Sequence, residues 1–98
     1  MRYEIILSPE AVEDLRRMNA DERTAVRKGL ETHLRYEPKK ASRRRIKRLR
    51  GVSRPQYRLR LEEVRVFYDV SGPAVVEILA IIAKSEANKW LTQFGGPK

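Results

Sequence analysis

The sequence predicts a small α+β fold. An antiparallel-dominated sheet, in the order β-α-α-β-β-β-α, packs on an N-terminal helical hairpin. Three observations carry this expectation. Two helix starts follow each other closely, at Ser8-Pro9 and at Asn19. Gln56-Tyr57-Arg58-Leu59-Arg60-Leu61 alternates with a strict period of two. Val75 to Ile82 is an almost unbroken apolar run preceded by the turn Ser71-Gly72-Pro73.

Each element has a local cause. Tyr3-Glu4-Ile5-Ile6-Leu7 reads as a short strand. Ser8 is a helix cap, Pro9 suits the first helical position, and Glu10 and Glu13 favour the positive helix end. Val12, Leu15 and Met18 form the expected apolar stripe of this helix. Asn19, with Glu22 three residues on, opens a second helix that runs to about Tyr36, with Val26, Leu30, His33 and Leu34 on one face. Gly29 inside it costs ~1 kcal/mol against alanine, a cost that close packing would offset. Glu37-Pro38 stops the helix. Lys39 to Arg54 reads as a basic loop with a short helical turn around Arg44–Leu49. Strands follow at 56–61, at 64–70 and at 75–82, the last expected to be central and buried on both faces. A short helix from Ser85 to about Leu91 ends a single domain spanning 1–92, and residues 93–98 read as a loose tail.

Charge sets the partner class. The chain of 98 residues carries a formal net charge of +9. Residues 39–65 hold twelve Lys and Arg against Glu62 and Glu63, a local +10, while the remainder is −1. The excess lies between folded elements, not on a tail. A polyanion, most simply nucleic acid, is the expected partner. The chain has no cysteine, which excludes disulfide scaffolds, thiolate metal sites and cysteine nucleophiles. A single histidine, His33, excludes a multi-histidine metal site. No metal, cofactor or small-molecule substrate is expected. No apolar run reaches a membrane span and the N-terminus lacks signal-peptide anatomy, so the expected location is cytoplasmic and away from membranes.

Strand parity places the cations. Arg58 and Arg60 share one face, and Tyr57, Leu59 and Leu61 share the other. If Glu62-Glu63 is a two-residue hairpin loop, Arg60 lies opposite Arg65 and Arg58 opposite Phe67. Like charges across a ladder are destabilising, so folding alone gives no reason for this trio. Phosphate does, because guanidinium forks match phosphate oxygens.

The element order, with Leu49-Arg50-Gly51, Tyr57-Arg58-Leu59-Arg60-Leu61, Val64-Arg65-Val66-Phe67-Tyr68 and Ala83-Lys84, resembles the RelE/ParE toxin superfamily, RelE-like branch, over about residues 2–92. The resemblance implies the toxin of a type II toxin–antitoxin pair, with a cognate antitoxin. It also implies entry into the ribosomal A site (30S subunit and its rRNA) and mRNA cleavage there. The basic pair and the third-strand arginine that surround the scissile phosphate in that branch fall on Arg58, Arg60 and Arg65. The basic residue after the fourth strand falls on Lys84. The next position is Ser85 where an arginine is expected, and the tyrosine's region holds Asn88-Lys89-Trp90-Leu91.

The implied chemistry divides the roles. Arginine is a poor general base, so Arg58, Arg60 and Arg65 suit phosphate binding and transition-state charge. Lys84 serves as acid or base only if burial or neighbouring arginines depress its pKa. Tyr57 and Tyr68 are candidate proton carriers that both read as core. Arg43, Arg44, Arg45, Lys47, Arg48 and Arg50 are expected to grip RNA phosphates. Trp90 is either a base-stacking residue or a core anchor. Two alternatives stay open: a ParE-like gyrase inhibitor, and an RNA-binding member with weak or no cleavage.

Overall fold

The computed structural model describes residues 1–97. Strand β1 is Glu4–Leu7, helix α1 Pro9–Arg16 and helix α2 Ala20–Leu34. Strands β2 (Ile46–Arg48), β3 (Val52–Arg54), β4 (Tyr57–Leu61), β5 (Val64–Ser71) and β6 (Val75–Ala83) follow. A 3-10 turn at Lys84–Glu86 leads into α3 (Ala87–Phe94), and β7 is Gly96–Pro97. The main sheet has five strands in the order β1-β6-β5-β4-β2. Only the β1–β6 pair is parallel. The fold class is therefore the expected α+β sheet on a helical hairpin.

Both helix starts form for the expected reasons. The Ser8 hydroxyl accepts from the Ala11 amide, with Pro9 in the first turn. Asn19 and Glu22 complete a reciprocal capping box. The buried stripe of α1 is Ala11 and Leu15, with Met18 packed behind them, whereas Val12 is exposed. Helix α2 ends at Leu34, two residues before the expected Tyr36. It buries Val26, Gly29, Leu30 and Leu34. A Cβ on Gly29 would stand 2.6 Å from Leu61 Cδ1, so this glycine permits the close approach of α2 to the sheet.

The helical hairpin and the sheet share one core, which includes Leu15, Leu30, Leu34, Leu59, Val66, Tyr68 and Ile78. The opposite sheet face holds a smaller cluster of Phe67, Ala80 and Ala87, flanked by Leu49, Ile82, Trp90 and Leu91. Strand β6 supplies both clusters, but not as a uniformly buried strand. Its register slips between Phe67↔Ala80 and Tyr68↔Ile78, leaving Leu79 as the extra residue of a bulge. Parity therefore changes midway, which is how one apolar run serves two cores. Glu77 on this strand is only half-buried. Beyond Leu7 the β6 edge has no strand partner in β1. There α1 takes over: the Ser8 hydroxyl donates to the Leu79 carbonyl and the Asp14 carboxylate accepts from the Ile81 amide.

Two expectations for the irregular segments are corrected. The basic segment 39–54 contains two short strands, not a helical turn. Ile46 is buried opposite Leu59, and this anchor holds β2 against β4. The tail is paired: Val52 partners Pro97 and Arg54 partners Gly96 in a second, two-stranded sheet. Helix α3 also extends to Phe94, past the expected Leu91. Lys98, at the end of that tail, lies outside the described residues.

Candidate nucleic-acid interface

The β4–β5 hairpin has the register that the two-residue loop requires. Arg60 partners Arg65, Arg58 partners Phe67 and Leu61 partners Val64. Two glutamates form this turn at a backbone cost, since Glu62 sits at φ 52°, a left-handed conformation that favours glycine. Across the other edge of β4, Lys47 partners Arg58 and so shares its face. Directly paired residues thus bring Lys47, Arg58, Arg60 and Arg65 onto one side of the sheet, opposite the main core.

The environment of these cations is unusual for a purely structural surface. Arg65 is only 6% exposed. Its Nη1 donates to the carbonyls of Glu62 and Val64, at 2.8 and 3.0 Å, and not to a carboxylate. Burial lowers its proton affinity, Arg60 lowers it further, and Glu63 offsets this only in part. Arg58 is half-buried, with its affinity lowered by burial and then by Arg65 and Arg60. Its Nε is buried without a hydrogen-bond partner. Both guanidinium groups stay charged at neutral pH. The ion pairs of the described residues involve Arg16, Arg35, Lys40 and Arg54, and none of these four face residues. The face is a concentrated positive field, offset only in part by Glu63, with an unmade hydrogen bond in it.

The remaining sequence candidates distribute around this face. Lys84 is exposed beside the hairpin, its amide donating to the Glu63 carbonyl at 2.7 Å. Arg43, Arg44 and Arg50 are exposed. Arg45 pairs its main chain with Arg60, and its Nη1 donates to the Arg60 carbonyl at 3.1 Å. Arg48 points to the core side, its guanidinium 5.0 Å from the Tyr57 ring centroid. Trp90 is a packing residue: its ring stacks on Phe67 with centroids 4.7 Å apart and meets Phe94 at 5.7 Å. These ring contacts are the packing that the core-anchor role for Trp90 expects. Tyr57 and Tyr68 are buried and stacked on each other at 5.4 Å. The Tyr68 hydroxyl donates to the Pro38 carbonyl at 2.6 Å, and burial pushes its pKa far up. Neither tyrosine is available to carry a proton on the basic face. His33 lies on α2, away from this face, in a recess with Arg45.

Sequence reasoning does not place Lys47 on the arginine face, because the residues of β2 read as loop. The signal is present in Arg45-Ile46-Lys47, one apolar residue between two cations, a pattern of period two too short to stand out. Among the described residues no cluster of three or more acidic or histidine side chains is arranged to hold a metal ion. No helix among them is long and apolar enough to cross a membrane.

The sheet thus presents a face on which four cations outnumber the Glu63 carboxylate beside Arg65. Comparison with solved structures gives the fold its kin. The chain aligns with one from the archaeal RelE–RelB complex of Pyrococcus horikoshii OT3 at a TM-score of 0.69 and 24% identity, covering 86% of this chain and 97% of that one. It aligns with one from the toxin–antitoxin complex RelBE2 of Mycobacterium tuberculosis at 0.66 and 22%, covering 85% and 99%. The protein thus has the fold of the RelE toxins. No protein-family model matches the sequence, and no curated relative matches it.

Proposed function

We propose that this protein is the toxin of a type II toxin–antitoxin pair and cleaves mRNA in the ribosomal A site. The observation that carries the reading is the cationic face of Lys47, Arg58, Arg60 and Arg65, which Glu63 offsets only in part, with the unpartnered Arg58 Nε within it. RNA cleavage by its own 2′-hydroxyl places extra negative charge on the phosphorane. Arg58, Arg60 and Arg65 bind that phosphate and stabilise the charge as it develops. Lys84 stands at the rim, exposed, where it suits a phosphate or leaving-group contact. Arg43, Arg44, Arg45, Lys47 and Arg50 extend the field and grip ribosomal RNA and message, and Arg48 adds an exposed cation on the other side of β2. With Tyr57 and Tyr68 buried, the chain supplies charge and position, and the ribosome supplies most of the alignment that turns binding into cleavage. The similar chains come from complexes of RelE with RelB, which supports a cognate antitoxin here. Its segment over this face is acidic, and the site of action is the cytoplasm.

The test is in vitro translation of a defined mRNA with purified protein, with cleavage ends mapped by primer extension and a control without ribosomes. Cuts in codon register on ribosome-bound message alone are expected. An uncut message sinks the reading, and a gyrase supercoiling assay then tests the ParE-like alternative. The buried tyrosines favour one second reading, an RNA-binding member with weak cleavage. It would retain arginine-dependent RNA binding while leaving the message whole.

A further inference from the structure

A recess of about 210 Å³ opens at the free edge of the sheet, beside β2. The end of α2 and the segment after it line this recess with His33, Tyr36, Glu37, Lys40, Ser42 and Arg45. Tyr36 is 60% exposed, a large aromatic ring that the fold does not use. The Ser42 hydroxyl accepts from the Arg45 and Ile46 amides at 3.0 and 3.2 Å and so fixes the start of β2. Lys40 Nζ lies 3.6 Å from Glu37 in an exposed pair, the kind of contact a phosphate readily displaces. Arg45 joins this recess to the arginine face, because its Nη1 reaches the Arg60 carbonyl.

We propose that this recess is a second subsite for single-stranded RNA. A base stacks on Tyr36, and Arg45 with Lys40 holds the adjoining phosphate as the strand turns round the β2 edge from Arg60. An exposed aromatic beside cations is how unpaired bases are held without a groove. His33 completes the pocket wall. Burial, then Arg45, lowers the proton affinity of its imidazole, and the neutral ring so favoured has one donor and one acceptor for a base edge. The subsite rests on the RNA-binding reading above and extends it by one nucleotide position.

Fluorescence anisotropy with labelled single-stranded RNAs of three and eight nucleotides tests it, using Tyr36→Ala, Tyr36→Phe and Arg58→Ala. Tyr36→Ala is expected to weaken the longer RNA about tenfold, the scale of one base–aromatic stack, and to leave the shorter one unchanged. Tyr36→Phe keeps the ring and the affinity. Because Tyr36 is exposed, neither change threatens the fold. Equal binding of both lengths by Tyr36→Ala and wild type overturns the subsite. If Arg58→Ala still weakens both lengths in that case, the arginine-face reading stands without it. Absence of RNA binding by the wild type overturns both.

Discussion

Replacing Arg58 by methionine should make the protein more stable and less able to bind RNA. The structure supplies the magnitudes. Arg58 Nε is buried with no partner, and an unsatisfied buried donor costs ~1–3 kcal/mol. Arg60 and Arg65 both disfavour its charge, and like-charge neighbours on a sheet cost a few tenths to ~1 kcal/mol each. Methionine retains an unbranched apolar stem beside Phe67 and removes the charge. Half-exposure of the site reduces these gains, leaving a net stabilisation of about 1–2 kcal/mol. In a domain of this size that raises Tm by roughly 5–10 °C. The same substitution removes one phosphate contact, so the slope of log affinity against log salt should fall by about 1. Circular-dichroism melts and anisotropy titrations at several salt concentrations read both effects. An Arg58→Met variant melting at or below the wild-type temperature would refute the reasoning, because the guanidinium would then be holding the fold together.

Three further outcomes follow from the geometry. Tyr68→Phe strands the buried Pro38 carbonyl and should lower stability by about 1–3 kcal/mol in urea denaturation, with RNA affinity nearly unchanged. Arg54→Ala breaks the contacts to Asp69 at 3.0 Å and Glu77 at 2.9 Å. Amide exchange should then accelerate at β3 and β7 while β4 and β5 keep their protection. His33 has a folded pKa held below its ordinary 6.5, so the unfolded chain binds more protons in that interval. Its contribution is complete above 6.5 and is lost as pH falls through the lower folded value; denaturation midpoints of His33→Gln should lack that decline.

The fold is most legible in the sequence where a side chain acts on its own neighbours. Ser8 and Asn19 cap through bonds three residues long, and both caps form. Tyr57 to Leu61 alternates over five residues, enough to assign faces and to put Arg58 and Arg60 on one side with Arg65 across the hairpin. Legibility fails where a partner distant in the chain decides. Strand β2 is three residues long, and only its pairing with β4 distinguishes it from loop. The Leu79 bulge lies in the register of β6 against β5, and α1 meets the same stretch of β6 from the other edge, neither of which a local pattern encodes. Gly96 and Pro97 carry no strand propensity, and they form β7 by pairing with β3. By sequence Trp90 reads more readily as a core anchor than as a base-stacking residue, and only the fold shows its ring stacked on Phe67.

The parallel pairing of β1 with β6 has a consequence for how the protein comes into being. The Ser8 hydroxyl and the Leu79 carbonyl it meets are 71 residues apart in sequence. Synthesis runs from the N-terminus, so β1 is exposed long before its partner β6 exists, and β2, β4 and β5 emerge before the strand that joins them to β1. Closing so long a loop comes late and makes assembly slow. A chain interrupted before β6 can pair β2, β4 and β5, and so carries the arginine face, but it lacks the strand that joins these three to β1.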